Sequence, residues 1–244
     1  MFRDELIISQ INDIKKAISD FSSELVAYSE EIGNHKLSQN EISFFSYISK
    51  QIVFLKNIYT FNYNYLIKVL ISDYYNYIVS IIKNEHRYMY VNERSIIENY
   101  TRWIVSTEVE INHITTQVFD DFKTQTSICE KDYALIKSAY TDSCGYIHGS
   151  KLLNDNLAYV FKECITNDLE IRNINRYFAN IIKIIKIYNR LIILTYPSLI
   201  DECFFRRKSV LKYLLGEDLL ELLFQTLNNN STAAPDRTAV ESQI

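Results

Sequence analysis

A chain of 244 residues is long enough for one large hydrophobic core, and its 48% hydrophobic and 23% charged residues are ordinary globular proportions that exclude a wholly disordered chain. With 26 basic and 30 acidic residues the formal net charge is -4, so any binding to nucleic acid depends on a local basic patch. Only 4 glycines and 2 prolines are present, too few for the tight turns of a sheet protein, and this scarcity favours helices.

The cysteines and the hydropathy pattern predict a soluble protein of the reducing cytoplasm. No two of the 4 cysteines have CxxC spacing, so neither a disulfide framework nor a zinc site is expected. The N-terminus lacks the features of a signal peptide. The most apolar stretch, 181–194, is interrupted by two lysines and an arginine, which excludes a membrane span there. We therefore expect a cytoplasmic location, no membrane association, no metal and no cofactor.

The first half of the chain has the hydrophobic periodicity of long helices. Apolar residues recur at spacings of three and four, and the first such run ends at Gly33. Ser38 and Glu41 form a capping box, in which each side chain satisfies a backbone donor that the first helical turn leaves unpaired. This box predicts the start of the second helix. The predicted spans are about 4–32, 38–59, 63–83 and 92–105.

The second half continues in the same way, with predicted helices at about 109–124, 131–148 and 168–195. The last of these ends before Pro197, because a proline disfavours helical geometry in the residue before it. Two short helices are expected after Pro197, separated by Gly216. From Asn228 the residues become small and polar, which is typical of a tail without fixed structure. The sequence thus predicts one all-α helical bundle over 1–227 and a disordered tail over 228–244.

The segment 146–150, Tyr-Ile-His-Gly-Ser, is the most compact site-like feature. Gly145 and Gly149 flank His148, and Gly149 can end the helix by adopting a left-handed conformation. The helix dipole favours positive charge at that end. Helical rotation places His148 at the edge of the apolar face and not within it. Two interpretations remain: His148 is an acid or phosphate-binding cation, or it is a helix-terminal histidine with a purely structural role.

A second constellation is the ionic row formed by Arg94, Glu98 and Arg102. These residues are four positions apart and therefore lie on one side of a helix. The row is either part of a site or an ordinary surface ladder of ion pairs, each contributing a few tenths of a kcal/mol.

A third feature is a basic stripe on the long helix predicted over 168–195. Five cations project within about 40° of one direction on the helical wheel, and no acid falls among them. Their 18 helical steps extend roughly 27 Å, enough to meet several phosphates of a nucleic-acid backbone. The alternative is a solvated face whose cations pair with acids of neighbouring helices. The members of this basic stripe are Arg172, Arg176, Lys183, Lys186 and Arg190.

The order of these features resembles HEPN-type helical bundles over about residues 40–195. The match rests on long helices, on a helix with Arg94-Ser95-x-x-Glu98 and on a later helix ending in His148-Gly149. It is most similar to a poorly characterised bacterial branch with an Arg-Ser-x-x-Glu helix and a terminal His-Gly or His-Pro step. Many HEPN proteins are metal-independent ribonucleases of toxin–antitoxin, CRISPR and phage-defence systems, often active as dimers. The resemblance implies an RNA-directed effector that acts as a homodimer or with a protein partner.

One departure from the family concerns catalysis. Ribonuclease members carry an arginine four to six residues before the histidine, whereas residues 141–143 of this chain are Thr-Asp-Ser. The chemistry would need a composite site, in which His148 exchanges the proton of the attacking or leaving oxygen and Arg94, oriented by Glu98, stabilises the developing phosphorane charge. The predicted catalytic residues are therefore His148, Arg94 and Glu98. The alternatives are a non-catalytic HEPN-like module that binds nucleotide, RNA or protein, and a purely structural helical adaptor.

Overall fold

A computed structural model describes residues 2–31, 36–106, 116–148 and 174–232. Within these ranges the chain forms ten helices and no strand, which confirms the all-α prediction. No helix in them is both long and apolar enough to cross a membrane. The helices are α1 (Phe2–Glu31), α2 (Gln39–Phe61), α3 (Tyr65–Ile82), α4 (His86–Ile104), α5 (Thr116–Thr126), α6 (Glu130–Ile147), α7 (Ile174–Thr195), α8 (Pro197–Cys203), α9 (Lys208–Leu215) and α10 (Glu217–Thr232).

Local sequence sets several helix boundaries. The backbone N–H of Glu41 donates to Ser38 Oγ at 3.3 Å, and the backbone N–H of Ser38 donates to a Glu41 carboxylate oxygen at 2.8 Å, which confirms the capping box of α2. Pro197 is the first residue of α8, where its missing N–H costs nothing, and α7 ends two residues earlier. Gly216 separates α9 from α10 with a φ of +100°, a conformation that favours glycine.

The helices pack around α7, which contacts α2, α4, α6, α8 and α10. A short turn joins α3 to α4, and the two helices lie against each other along their lengths. Hydrogen bonds cross the central layer: the Tyr188 and Thr101 hydroxyls are 2.8 Å apart between α7 and α4, and Asn189 donates to Gln51 of α2 at 2.7 Å. A single cluster of buried aliphatic and aromatic side chains runs from α1 to α10. The described helices therefore share one core.

The structure corrects the predicted start of the fourth helix. The sequence predicts it at about Asn92, after a polar segment, but α4 begins at His86. The physical reason is burial, because Met89 and Tyr90 already lie on the side of the helix that faces the core. Burial of an apolar face stabilises a helix more than the polar residues before it destabilise it.

Three helices follow Pro197, whereas the sequence predicts two. The additional break falls at Arg206, whose φ of 60° is left-handed. The next two side chains cap the end of α8, because Arg207 donates to the carbonyl of Cys203 at 2.9 Å and Lys208 donates to that of Asp201 at 2.8 Å. No glycine or proline marks this break, so the turn signals in the sequence do not reveal it.

Other predicted boundaries are only partly covered by the described residues. The predicted helix at 109–124 is described from Thr116, and the one at 168–195 from Ile174. The C-terminal helix α10 reaches Thr232, which corrects the predicted start of the tail at Asn228. Arg172, Gly149, Ser150 and the remainder of the predicted tail lie outside the described residues.

Candidate functional site

His148 is the C-terminal cap of α6 and is exposed. Its backbone N–H donates to the carbonyl of Cys144 at 3.0 Å. The exposed Arg87 of α4 reaches the same helix end and donates from Nη2 to the carbonyl of Ile147 at 3.4 Å. His148 thus lies outside the apolar face, as predicted, and the chain places an arginine beside it from a different helix.

The predicted partners Arg94 and Glu98 form an ion pair on α4. Arg94 Nε lies 2.9 Å from Glu98 Oε1, and the two side chains are 22% and 16% exposed. Tyr140 of α6 also donates to Glu98 Oε1, at 3.1 Å, and its ring centre lies 5.6 Å from the Arg94 guanidinium carbon. The side chains of Arg94 and Glu98 therefore both take part in the contact between α4 and α6.

No hydrogen bond or ion pair joins His148 to Arg94 or Glu98 within the described part of the chain. The pair faces Tyr140, about two helical turns before His148 on α6. Arg94 would have to leave Glu98 before it could reach a phosphate at His148. The catalytic assignment of His148, Arg94 and Glu98 stays a prediction, and Arg87 is an arginine that does contact the end of α6.

The serine of the Arg-Ser-x-x-Glu motif has a different partner, on α3. Ser95 Oγ donates to Asp73 Oδ2 at 2.7 Å, and Asn99 donates to the same oxygen at 3.0 Å. Burial raises the pKa of Asp73; the hydrogen bonds from Ser95 and Asn99 oppose this rise, and the Glu98 carboxylate adds to it. The motif therefore holds α4 to α3 through its serine and to α6 through its glutamate.

The basic stripe is exposed on α7, as the helical wheel predicts. Arg176, Lys183, Lys186 and Arg190 are all exposed, while Arg172 lies outside the described residues. Among the described residues, Lys183, Lys186 and Arg190 form no ion pair with any acid. For these three cations the structure therefore does not show the pairing with acids of neighbouring helices that was the alternative interpretation.

Arg176, the first described member of the stripe, and His148 lie at the same end of the bundle. Tyr146 of α6 stacks on Tyr90 of α4 with ring centres 3.9 Å apart, and the rings of Tyr90 and Tyr177 meet edge to face with their centres 6.2 Å apart. Tyr177 follows Arg176 directly, and Tyr146 precedes His148 by two residues. The last turn of α6 and the first turn of α7 are thus neighbours.

Sequence reasoning missed the cavity between α4, α6 and α7, which we call the Glu93 cavity. It has a volume of about 180 Å³, and its walls include Glu93, Asp142 and three tyrosines. The tyrosines are Tyr90, Tyr146 and Tyr177. Glu93 is only 4% exposed, which is rare for a glutamate. Its position four residues after the buried Met89 on α4 was the available signal, since this spacing puts a carboxyl group on an apolar face.

The carboxyl group of Glu93 loses its proton less readily in this environment than a glutamate side chain does in water. Burial raises the pKa of Glu93 to about 7; the hydroxyls of Tyr177 and Ser143 oppose the rise, and the Asp142 carboxylate adds to it. Tyr177 donates to Glu93 Oε2 at 2.6 Å, and the Tyr77 hydroxyl lies 2.5 Å from that of Tyr177. A buried carboxyl group that lines a cavity and has a pKa near neutral pH is typical of binding and catalytic sites.

Comparison with known proteins gives no further assignment, because no family model, no curated protein and no solved structure matches the chain. Within the described residues, no group of three or more histidines, cysteines, aspartates or glutamates is arranged to hold a metal ion. The candidate functional features of the described residues are therefore the basic stripe, the exposed His148 and the Glu93 cavity.

Proposed function

We propose that the protein is an RNA-directed effector that holds a single strand of RNA along the basic stripe of α7. The observation that carries the proposal is the set of exposed cations Lys183, Lys186 and Arg190, which form no ion pair within the described part of the chain. An exposed helix face usually mixes charges of both signs, whereas α7 carries no acid from Ile174 to Thr195.

The dimensions of the stripe suit a phosphate backbone. Lys183 and Arg190 are seven residues apart, about 10 Å along the helix, and Arg176 extends the row to about 21 Å. Because the net charge of the chain is -4, attraction to RNA would come from this surface and not from the molecule as a whole. Contacts of this kind neutralise phosphates and do not read bases, so the binding would be tolerant of sequence and sensitive to salt.

RNA cleavage at His148 is the second candidate function. It is favoured by the exposure of His148 at the end of α6, beside Arg87 and close to the first turn of α7, which carries Arg176. In this scheme His148 exchanges the proton of the attacking or leaving oxygen, and a cation near it stabilises the phosphorane. Roles in bacterial defence or in a toxin–antitoxin pair, and a homodimer or protein partner, rest on the HEPN resemblance.

A comparison of affinities tests the proposal. The double variant Lys183→Glu/Lys186→Glu should bind a single-stranded RNA at least about tenfold more weakly than the wild type, since it replaces two phosphate contacts with two repulsions. The control is Lys15→Glu/Lys68→Glu, which makes the same charge change at exposed lysines of α1 and α3. Equal losses in the two double variants would show only a dependence on net charge and would contradict a site on α7.

A further inference from the structure

The Glu93 cavity is chemically distinct from the basic stripe, although α7 contributes to both. Its described walls bear the carboxyl groups of Glu93 and Asp142 and the rings of Tyr90, Tyr146 and Tyr177. None of the described lining residues is lysine, arginine or histidine. The cavity therefore combines negative charge with aromatic surface and lies next to a surface of the opposite charge.

The two carboxyl groups are coupled across the cavity. Burial is the main cause of the raised pKa of Glu93, and the charge of Asp142 adds to it, so both disfavour the ionised form of Glu93. A positively charged ligand would relieve this repulsion and would let Glu93 ionise. Hydrogen bonds hold Glu93 in place, because Tyr177 donates to its Oε2 at 2.6 Å and the Tyr77 hydroxyl lies against that of Tyr177.

The tyrosines favour the same kind of ligand. The rings of Tyr90 and Tyr146 are stacked 3.9 Å apart with only 6° between their planes, which gives the cavity a rigid aromatic wall. The face of an aromatic ring carries negative partial charge and attracts ammonium and guanidinium groups. A cavity lined by two carboxyl groups and three tyrosines is thus complementary to an organic cation.

We propose that the Glu93 cavity binds a small organic ammonium compound, with Glu93 and Asp142 as its counter-charges and the tyrosine rings as its apolar walls. The volume of about 180 Å³ suits a small ligand such as an alkylamine or a short diamine. A metal ion is a poorer match, because no third acid, histidine or cysteine completes a ligand set among the described residues. The site is independent of RNA binding.

Isothermal titration of the full chain without RNA tests this proposal. The probes are n-butylamine and 1,4-diaminobutane, with 1-butanol and 1,4-butanediol as neutral partners of the same shape and MgCl₂ as the metal arm. We expect saturable binding of an amine and none of the alcohols. Glu93→Gln should weaken amine binding at least about tenfold, because glutamine keeps the shape of the side chain and removes its negative charge.

Two further variants keep the test decisive. Asp142→Asn changes an exposed side chain and should also weaken amine binding, even if Glu93→Gln fails to fold. Asp132→Asn, on the same helix but outside the cavity, should bind as the wild type does. The proposal is overturned if neither amine binds, if the alcohols bind equally well, if Mg²⁺ binds in place of the amines, or if Asp142→Asn and Asp132→Asn behave alike.

Discussion

The phenol of Tyr177 donates a 2.6 Å hydrogen bond to Oε2 of Glu93 and so joins the first turn of α7 to the buried side of α4. Tyr77 of α3 extends the contact, because its hydroxyl lies 2.5 Å from that of Tyr177. Three helices are therefore connected by one chain of polar groups inside the core. Glu93 lies at the end of this row of hydrogen-bonded groups, and its pKa is about 7. The stability of the bundle therefore depends on the protonation of Glu93.

The first prediction concerns Glu93→Gln and pH. Burial raises the pKa of Glu93 from 4.5 to about 7, so the folded state holds a proton that the unfolded chain releases between these values. The stability from this proton is fully present below pH 4.5 and is lost as the pH rises through about 7. A glutamine does not titrate, so the free energy of unfolding of Glu93→Gln should rise relative to that of the wild type over this interval, by on the order of 3 kcal/mol.

Urea denaturation of both proteins from pH 4 to pH 8 measures this difference. The comparison cancels the other titrating groups, because the two chains share them. A constant difference in free energy of unfolding across the whole range would contradict the assigned environment of Glu93.

The second prediction concerns Tyr177→Phe. Loss of the phenol removes the donor that opposes the rise in the pKa of Glu93, so that pKa should increase above about 7. The variant should also be less stable by about 1–3 kcal/mol, because Tyr77 loses a buried partner as well. The ¹³C chemical shift of the Glu93 carboxyl group, followed against pH, reports the change. Tyr77→Phe is the control, since it leaves the bond from Tyr177 to Glu93 in place, and an equal pKa increase there would argue against a direct effect of Tyr177.

The third prediction concerns the Arg-Ser-x-x-Glu motif. Ser95→Ala should destabilise the fold by about 1–2 kcal/mol, because Asp73 loses a 2.7 Å donor in a part-buried position. A double-mutant cycle with Asp73→Ala measures the interaction, and we expect a coupling energy of at least about 0.5 kcal/mol between these contacting residues. Additive effects would show that the Ser95–Asp73 bond does not hold α3 to α4.

Much of the fold follows from local sequence signals. The capping box at Ser38 and the proline at 197 act within a few residues, so the boundaries they set are predicted within about one helical turn. The basic stripe also follows from a single helix, because the period of 3.6 residues alone determines which side chains share a face. The breaks that the sequence misses, such as the one at Arg206, depend on side chains that cap carbonyls after the chain has folded.

The Glu93 cavity could not be predicted in full for the same reason. Helical spacing from Met89 puts Glu93 on an apolar face, but its hydrogen-bond donor Tyr177 is 84 residues away in the chain. The Arg94–Glu98 pair shows the opposite case: the four-residue spacing predicts the ion pair, whereas the position of Tyr140 against it depends on how α6 packs on α4. Contacts between distant helices are set by packing, which the pattern of one helix does not contain.

The fourth prediction concerns His148 and RNA cleavage. If the protein cleaves RNA, His148→Ala should lower the cleavage rate by at least about 100-fold, since general acid–base catalysis contributes about 10²–10⁴-fold. Because His148 is exposed at the end of α6, the thermal unfolding temperature should not change appreciably. Lys137→Ala, also exposed on α6, is the control for the loss of a polar side chain on that helix. Undiminished cleavage by His148→Ala would exclude His148 from the mechanism.

The salt dependence of RNA binding tests the central claim most directly. The slope of log K against log salt concentration is about -0.7 per phosphate contact on a single strand, so Lys183→Ala/Lys186→Ala should flatten it by about 1.4. Lys15→Ala/Lys68→Ala should leave it unchanged. A wild-type slope near zero, or a slope that the Lys183→Ala/Lys186→Ala variant shares with the wild type, would contradict RNA binding along α7.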